Sequence, residues 1–381
     1  MRRPAFGWHR ALTTILGMGL VFFASLAVAQ PVNNSQERYQ RIWRHADVYQ
    51  SSGDGLIRDF SLSGRLQADY AWFDADEGDY DAARWRRFRF GFTSLLADRF
   101  TVRLEGDFDL NNSASDFYQR LTDAHVDWQV TEKTSLKILK HSAGFTLDGI
   151  TSSKKLLTPE RNNLTNNLWF TAEYFTGISL SGKLDKQLSY KAGVFSSDDS
   201  DEWGISNASY FTHTSLSYDW AAGLGLDKAQ VTLDYVYNDK DTRANTRDFG
   251  HVVSLSSRWQ QANWGLQTDL SAGDGYYDQS DIWGLVLMPF YSFTEMTQLV
   301  VRYTYLNSDG DNGVRLNRYE NRAVSGNGDE YDEYFAGVNI FFYGHKMKWQ
   351  SGLQYTSMDD AAGDGGEYDG WGLTTGLRLY W

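Results

Sequence analysis

Along most of this chain, apolar and polar positions alternate one by one. Phe60, Leu62, Gly64, Leu66, Ala68, Tyr70 and Trp72 interleave with Ser61, Ser63, Arg65, Gln67, Asp69 and Ala71. Phe100, Val102, Leu104, Gly106, Phe108 and Leu110 interleave with Thr101, Arg103, Glu105, Asp107 and Asp109, and the pattern returns at Trp264–Ala272 and Trp371–Trp381. A period of two over ten or more residues marks a strand with one apolar and one wet face. Such strands outrun the usual ~5–6 residues of soluble sheets and match the roughly 9–11 residues that cross a bilayer at a tilt. About sixteen alternating segments can be traced, starting near residues 60, 84, 99, 121, 134, 167, 186, 207, 228, 248, 263, 282, 297, 331, 346 and 369, with the one near 134 the weakest.

The connections alternate too. Short ones (Ala97-Asp98, Thr131–Lys133, Leu184-Asp185, Tyr343–His345) are separated by longer polar ones: Asp74–Ala83, Asn111–Arg120, Ser142–Asn166, Ser197–Ser206, Asp239–Arg247, Gly273–Asp281, Ser308–Glu330 and Met358–Glu367. Short periplasmic turns and long external loops are the arrangement of outer-membrane barrels. Trp72, Tyr118, Trp128, Trp169, Tyr210, Trp220, Trp259, Trp283, Trp349, Trp371 and Trp381 fall near predicted strand ends, where amphipathic rings suit the headgroup girdles. The fold class expected is therefore all-β: a transmembrane antiparallel β-barrel of about 16 strands over residues 59–381.

The first residues agree with that destination. Arg2, Arg3 and Arg10 form a basic start, Ala11–Val28 carries no charge, and Ala27-Val28-Ala29 supplies the small-x-small pattern of a cleavage site. Residues 1–29 read as a secretory signal peptide, with a retained membrane anchor as the alternative. Residues 30–58 read as a short periplasmic segment, Tyr39, Ile42, Trp43 and Ala46 lying at roughly helical spacing.

Composition narrows the chemistry. Aromatic residues make up 15% and Gly numbers 35 against 4 Pro, a balance that favours long strands over loop-rich sandwiches. The absence of Cys removes disulfides and thiolate metal sites. The formal charge is −13, and loss of the three leader arginines takes it to about −16, which argues against nucleic acid, whose phosphates require a basic face. A mean hydropathy of −0.50 would suit a soluble protein, but a barrel whose strands are half polar gives the same average. His-Glu-x-x-His, Gly-x-Ser-x-Gly and Gly-x-Gly-x-x-Gly do not occur, and the seven His are scattered, so no enzyme, cofactor or metal site is expected. Asn307–Gly313 has oxygen ligands at calcium-like spacing without the distal Glu of an EF-hand loop, and reads as a solvated loop.

Candidate chemistry lies on the wet faces. The third long loop, Ser142–Asn166, carries Phe145, Leu147, Ile150, Leu156 and Leu157, which make sense if it folds back onto the inner wall, leaving Lys154, Lys155 and Arg161 at a narrowed lumen. The alternative is an external loop packed at a subunit contact. On the second strand, Phe88, Phe90 and Phe92 share the lipid-facing parity, which sends Arg87, Arg89 and Gly91 inward, with Arg65 and Arg103 on neighbouring polar faces. Guanidinium groups bind phosphate oxygens bidentately and stay charged at any working pH. The competing reading is an ordinary polar wall in which these arginines pair with Glu105, Asp107, Asp123 and Asp127.

Asp148-Gly149-Ile150-Thr151-Ser152-Ser153-Lys154 with Glu160-Arg161 resembles the constriction-loop segment of the phosphate-selective porin O and P family. Phe335–Tyr343, with Lys346, Lys348 and Gln354-Tyr355, is similar to that family's Gly-x-Asn strand and following hairpin, and Leu299–Tyr303 to its preceding strand. The similarity runs from about Phe60 to Trp381. It implies a sixteen-stranded, trimeric, anion-preferring outer-membrane porin passing small solutes such as phosphate or polyphosphate, surrounded by lipid and lipopolysaccharide. It also adds Ser152, Ser153 and Arg86 to the candidate constriction, since the family's arginine pair aligns with Arg86-Arg87 although strand parity sends Arg86 outward. Two alternatives stand beside it: a barrel whose loops bind a surface partner, and a general or cation-preferring pore.

Overall fold

A computed structural model describes residues 32–168, 173–198, 202–205, 207–311 and 313–381. The expected signal peptide lies outside the described residues. Two compact units divide the chain at His45. In the first, Val32–Trp43 is an α-helix in which Tyr39 and Trp43, one turn apart, meet edge to face at 6.1 Å.

The second unit is a closed barrel of sixteen antiparallel strands. In chain order these are β1 (Ile57–Ala75), β2 (Gly78–Leu96), β3 (Phe100–Phe108), β4 (Tyr118–Thr131), β5 (Thr134–Ser142), β6 (Tyr174–Lys183), β7 (Leu188–Ser196), β8 (Tyr210–Asp219), β9 (Lys228–Asn238), β10 (Phe249–Gln261), β11 (Trp264–Gly275), β12 (Ile282–Ser292), β13 (Thr297–Ser308), β14 (Glu330–Tyr343), β15 (Met347–Asp359) and β16 (Tyr368–Tyr380). Each strand pairs with the next, and β16 closes on β1 from Gly370↔Ala75 to Tyr380↔Arg65. A short strand, Asp47–Gln50, pairs with the start of β1.

The burial pattern is inverted relative to a water-soluble sheet. Leu255, Leu270 and Leu353 are 45%, 49% and 45% exposed, whereas the alternate positions Ser254, Asp269 and Thr356 are at most 1% exposed. Apolar surface left outside and polar groups turned inside is stable only when the outside solvent is hydrocarbon. Turns at one end are mostly short. Ala97 and Asp98 both take positive φ (47° and 58°), the two-residue geometry whose twist matches that of the flanking strands.

Two predicted boundaries move. Asp74–Ala83 is not a loop: β1 and β2 are 19 residues each and meet at a two-residue tip, Asp76-Glu77. The charges that interrupt the apolar pattern there (Asp79, Asp81) are exposed, while Phe73 and Tyr80 pack against Tyr319. The strand expected near 167 begins at Tyr174, because Asn163–Leu168 is a helical turn of the third long loop, with Leu164 and Leu168 four residues apart and fully buried.

Candidate functional site

The third long loop, over its described residues 143–168, lies inside the barrel. On one side it packs as an apolar plug: Phe145, Leu147, Leu164 and Leu168 are at most 1% exposed and sit among inward side chains of the wall, including Phe211 (β8), Val236 (β9), Val252 (β10), Val286 (β12) and Val300 (β13). Two buried carboxylates beneath it accept from its backbone. Asp234 takes the N–H of Thr146 (3.2 Å) and Asp269 that of Leu147 (2.7 Å). Gly149 makes the turn possible, since a Cβ there would come within 1.9 Å of the Phe145 carbonyl oxygen.

The descending half of the loop is held through its carbonyls. Lys348 and Gln350 donate to Leu156 O, Asn339 to Leu157 O (2.9 Å), Arg378 to Pro159 O (3.2 Å) and Arg302 to Thr158 Oγ1 and Glu160 O (3.0 and 3.1 Å). The three cations among these donors, Lys348, Arg378 and Arg302, are occupied in holding the loop. Arg302 also makes a two-pronged pair with Glu333 (2.7 and 3.0 Å), and Arg378 pairs with Asp69.

The opposite wall, β1 to β4, carries the predicted arginines. Arg65 donates to Ser153 Oγ (2.7 Å) and pairs with Glu105 (3.0 Å). Arg89 bonds the Tyr174 hydroxyl and pairs with Asp107 (3.2 Å), and Arg103 pairs with Glu105 and Asp123 (2.9 and 3.3 Å). Arg86 points inward, against its strand parity. The register of β2 on β1 jumps from Gln67↔Arg87 to Ala68↔Trp85, so Arg86 occupies a β-bulge and both arginines face the lumen while Trp85 turns out. There Arg86 grips Glu160 of the loop with two nitrogens. Arg87 differs from its neighbours. Among the described residues it bonds Gln67 Oε1 (3.0 Å) without an ion pair, and Arg86, Arg89, Arg161 and Arg65 act on it with like charge.

The loop residues divide. Ser153 is buried against Arg65, and Ser152 is exposed. Lys154 lies over the Tyr380 ring (4.9 Å), and Lys155 is exposed. Arg161 is turned back on its own loop, bonded to Asp148 O (3.0 Å) and Thr151 O (3.3 Å) and paired with Glu173 (3.7 Å).

Above the loop, toward the long-loop end, lies a cavity of about 660 Å³. Nine arginines line it against four carboxylates, Asp107, Asp109, Glu160 and Glu173. Four of the nine are Arg84, Arg86, Arg87 and Arg89 of β2. Arg318 and Arg322 come from a second inward loop, residues 313–329, within the connection Ser308–Glu330 that was expected to be a long external loop. Tyr319 of that loop donates to Asp69 (2.8 Å), and Glu320, fully buried, accepts from Asn317 N–H, Tyr331, Gln354 and Thr356. Neither the bulge nor this second loop left a signal in the alternation of the sequence. Arg86 was reached only through the family resemblance.

Over residues 60–269, more than half of the chain, the sequence matches the family model described as phosphate-selective porin O and P. Porin O of Pseudomonas aeruginosa is 28% identical over 193 residues, 49% of this chain and 43% of that protein, so the chain spans less than half the length of this relative. Among solved structures, Salmonella typhi OmpF in complex with daunomycin superposes with a TM-score of 0.63 at 12% identity, covering 87% of this chain and 100% of that one. An anion-selective porin from Comamonas acidovorans gives 0.58 at 11% identity, covering 84% and 99%. These likenesses are in fold. The family model over more than half of the chain, joined to the closed barrel, leads to one conclusion: the chain belongs to the phosphate-selective porin O and P family and is a barrel of the bacterial outer membrane.

Proposed function

We propose that this porin prefers anions and passes small phosphate-bearing solutes through the arginine-lined cavity. One observation carries the reading: nine arginines against four carboxylates around about 660 Å³, with Arg87 in no ion pair among the described residues. At an effective dielectric near 20, unit charges ~4 Å apart interact by about 4 kcal/mol, whereas loop carboxylates more than a ~10 Å Debye length away are screened. Local charge at the narrow point, rather than the chain's −13, then sets selectivity. The residues assigned to this role are Arg65, Arg86, Arg87, Arg89 and Arg103 on the wall, with Ser152, Ser153, Lys154, Lys155 and Arg161 on the loop. The same reading includes export by a leader at 1–29, a periplasmic segment at 30–58, a homotrimer, and contact with lipopolysaccharide around the rim.

A cation-preferring pore has its own support, because Glu105, Asp107 and Asp123 neutralise much of the wall. Reversal potentials in planar bilayers under a salt gradient separate the two. Anion preference together with phosphate block of chloride current is expected, and cation preference overturns the proposal.

A further inference from the structure

Ahead of the barrel, one stretch carries charge of the opposite sign to the rest of the chain. The helix Val32–Trp43 and the 3-10 turn Arg44–Ala46 that continues it hold Arg38, Arg41, Arg44 and His45 against the single acid Glu37. The three arginines are exposed. The chain as a whole carries −13. Positive charge is gathered here in an otherwise acidic protein.

The stretch is also two-faced. Tyr39, Ile42, Trp43 and Ala46 recur at three and four residues along one side of the helix, and the arginines take the positions beside and opposite them. Tyr39 and Trp43 meet edge to face, and Ile42 is 61% exposed. An arginine-rich face beside an aromatic one is the pattern of a helix that lies in a membrane interface. Twelve residues are few for binding alone, since short helices are marginal in water. This one is tethered. From Ala46 the chain runs directly into the strand Asp47–Gln50, which pairs with residues 59–61 at the start of β1. That strand and the residues leading into β1 expose Val48, Tyr49, Leu56 and Ile57, and Phe60 stacks on Phe92 at 5.2 Å. Such an aromatic and aliphatic rim is where a barrel meets lipid headgroups. Binding of the tethered helix to that lipid is intramolecular and needs little intrinsic affinity.

We propose that residues 35–46 form an interfacial anchor that binds phospholipids with anionic phosphodiester headgroups on the periplasmic face of the membrane, phosphatidylglycerol being the simplest. Arg38, Arg41 and Arg44 take the phosphate oxygens, whose geometry guanidinium forks match, and Ile42 enters the acyl boundary. The inference rests on the placement of residues 30–58 in the periplasm and is independent of the pore's ion preference.

The chain has no Cys, so Ile42→Cys puts a single nitroxide label on the whole protein. In vesicles of phosphatidylglycerol, with relaxants on both sides of the bilayer, oxygen should reach the label and a water-soluble nickel chelate should not. In phosphatidylcholine alone that order should reverse. Adding Arg41→Gln should lower the bound-to-free ratio in phosphatidylglycerol about fivefold, as expected for one basic residue near an anionic surface. Raising the salt should act in the same direction, Arg41→Lys should keep most of the binding, and single-channel conductance should stay at the wild-type value. Equal nickel access in the two lipids overturns the anchor. Protection in both lipids, with spin–spin broadening between labels, assigns the face to a second copy and overturns it too. In intact cells, a membrane-impermeant maleimide that reaches the residue-42 thiol from outside overturns the periplasmic placement itself.

Discussion

The two halves of the barrel interior solve opposite problems. From β6 to β13 the inner wall meets Phe145, Leu147, Leu164 and Leu168 of the third loop with apolar side chains, and these fill it as a core pinned by Asp234 and Asp269. From β1 to β4 the wall is a lattice of arginines and carboxylates, with Arg87 left over. The first half gains by excluding water, so it fixes where the loop lies. The second stays open to the lumen, because ion pairs are costly to desolvate fully and, on the proposed reading, an anion exchanges through them. Narrowness is therefore set on one side of the pore and chemistry on the other, and the loop that joins them turns its aliphatics one way and Glu160 the other.

This division can be broken by emptying the packed half. Phe145→Ala with Leu164→Ala should cost about 2–5 kcal/mol per site, releasing the loop while the strands remain paired. Single-channel conductance should rise severalfold with heat-modifiable migration unchanged. Unaltered conductance in a folded variant would mean that the plug does not set the bore. Arg302→Met comes next, since it leaves Glu333 buried without its partner and removes donors to Thr158 and Glu160, for a loss of about 3–5 kcal/mol. Noisy current and a lowered unfolding temperature are expected.

On the arginine wall, the comparison sharpens between neighbours. Arg87→Gln should reduce the anion-to-cation permeability ratio severalfold with little change in thermal stability, because no ion pair among the described residues is lost. Arg65→Gln should do the reverse, since it strips Glu105 and Ser153 of a buried partner. Equal effects in the two variants would erase the distinction between free and spent arginines.

The smallest effect concerns pH. Burial, and then the charge of Glu333, pushes the Glu320 carboxyl up to about 7 from its ordinary 4.5. A carboxyl whose folded value is raised stabilises the docked loop while protonated, fully below about 4.5, and this contribution is lost as pH rises through about 7. Protection against hydrogen exchange at residues 314–324, taken relative to the intrinsic rise of amide exchange with pH, should therefore fall between pH 5 and 8, and Glu320→Gln should flatten that slope.

How much of this was legible in the sequence depends on the range of each interaction. Strand after strand could be read because alternation is local, and even the weak segment near 134 is β5. The third loop betrayed itself through aliphatics that a solvated loop would not carry. Arg86 did not, because a bulge shifts parity by one residue without changing composition. The loop at 313–329 was opaque for another reason. Its anchors, Tyr319 to Asp69 and Glu320 to Gln354 and Thr356, join residues 34 to 250 positions apart, and its buried Val314, Leu316 and Val324 share their parity with the polar Arg318, Glu320 and Arg322, so no alternation stands out.

The carbonyls of residues 156–160 have one more consequence, for assembly. Their donors come from β13 to β16, made last, while Ser153 and Glu160 are gripped by β1 and β2, made first. The seat of the loop is thus complete only after β16 has paired with β1. The barrel zips shut around its own plug, so the step that seals the cylinder into the membrane is also the step that narrows it, and no sealed, unobstructed cylinder need ever precede the working pore.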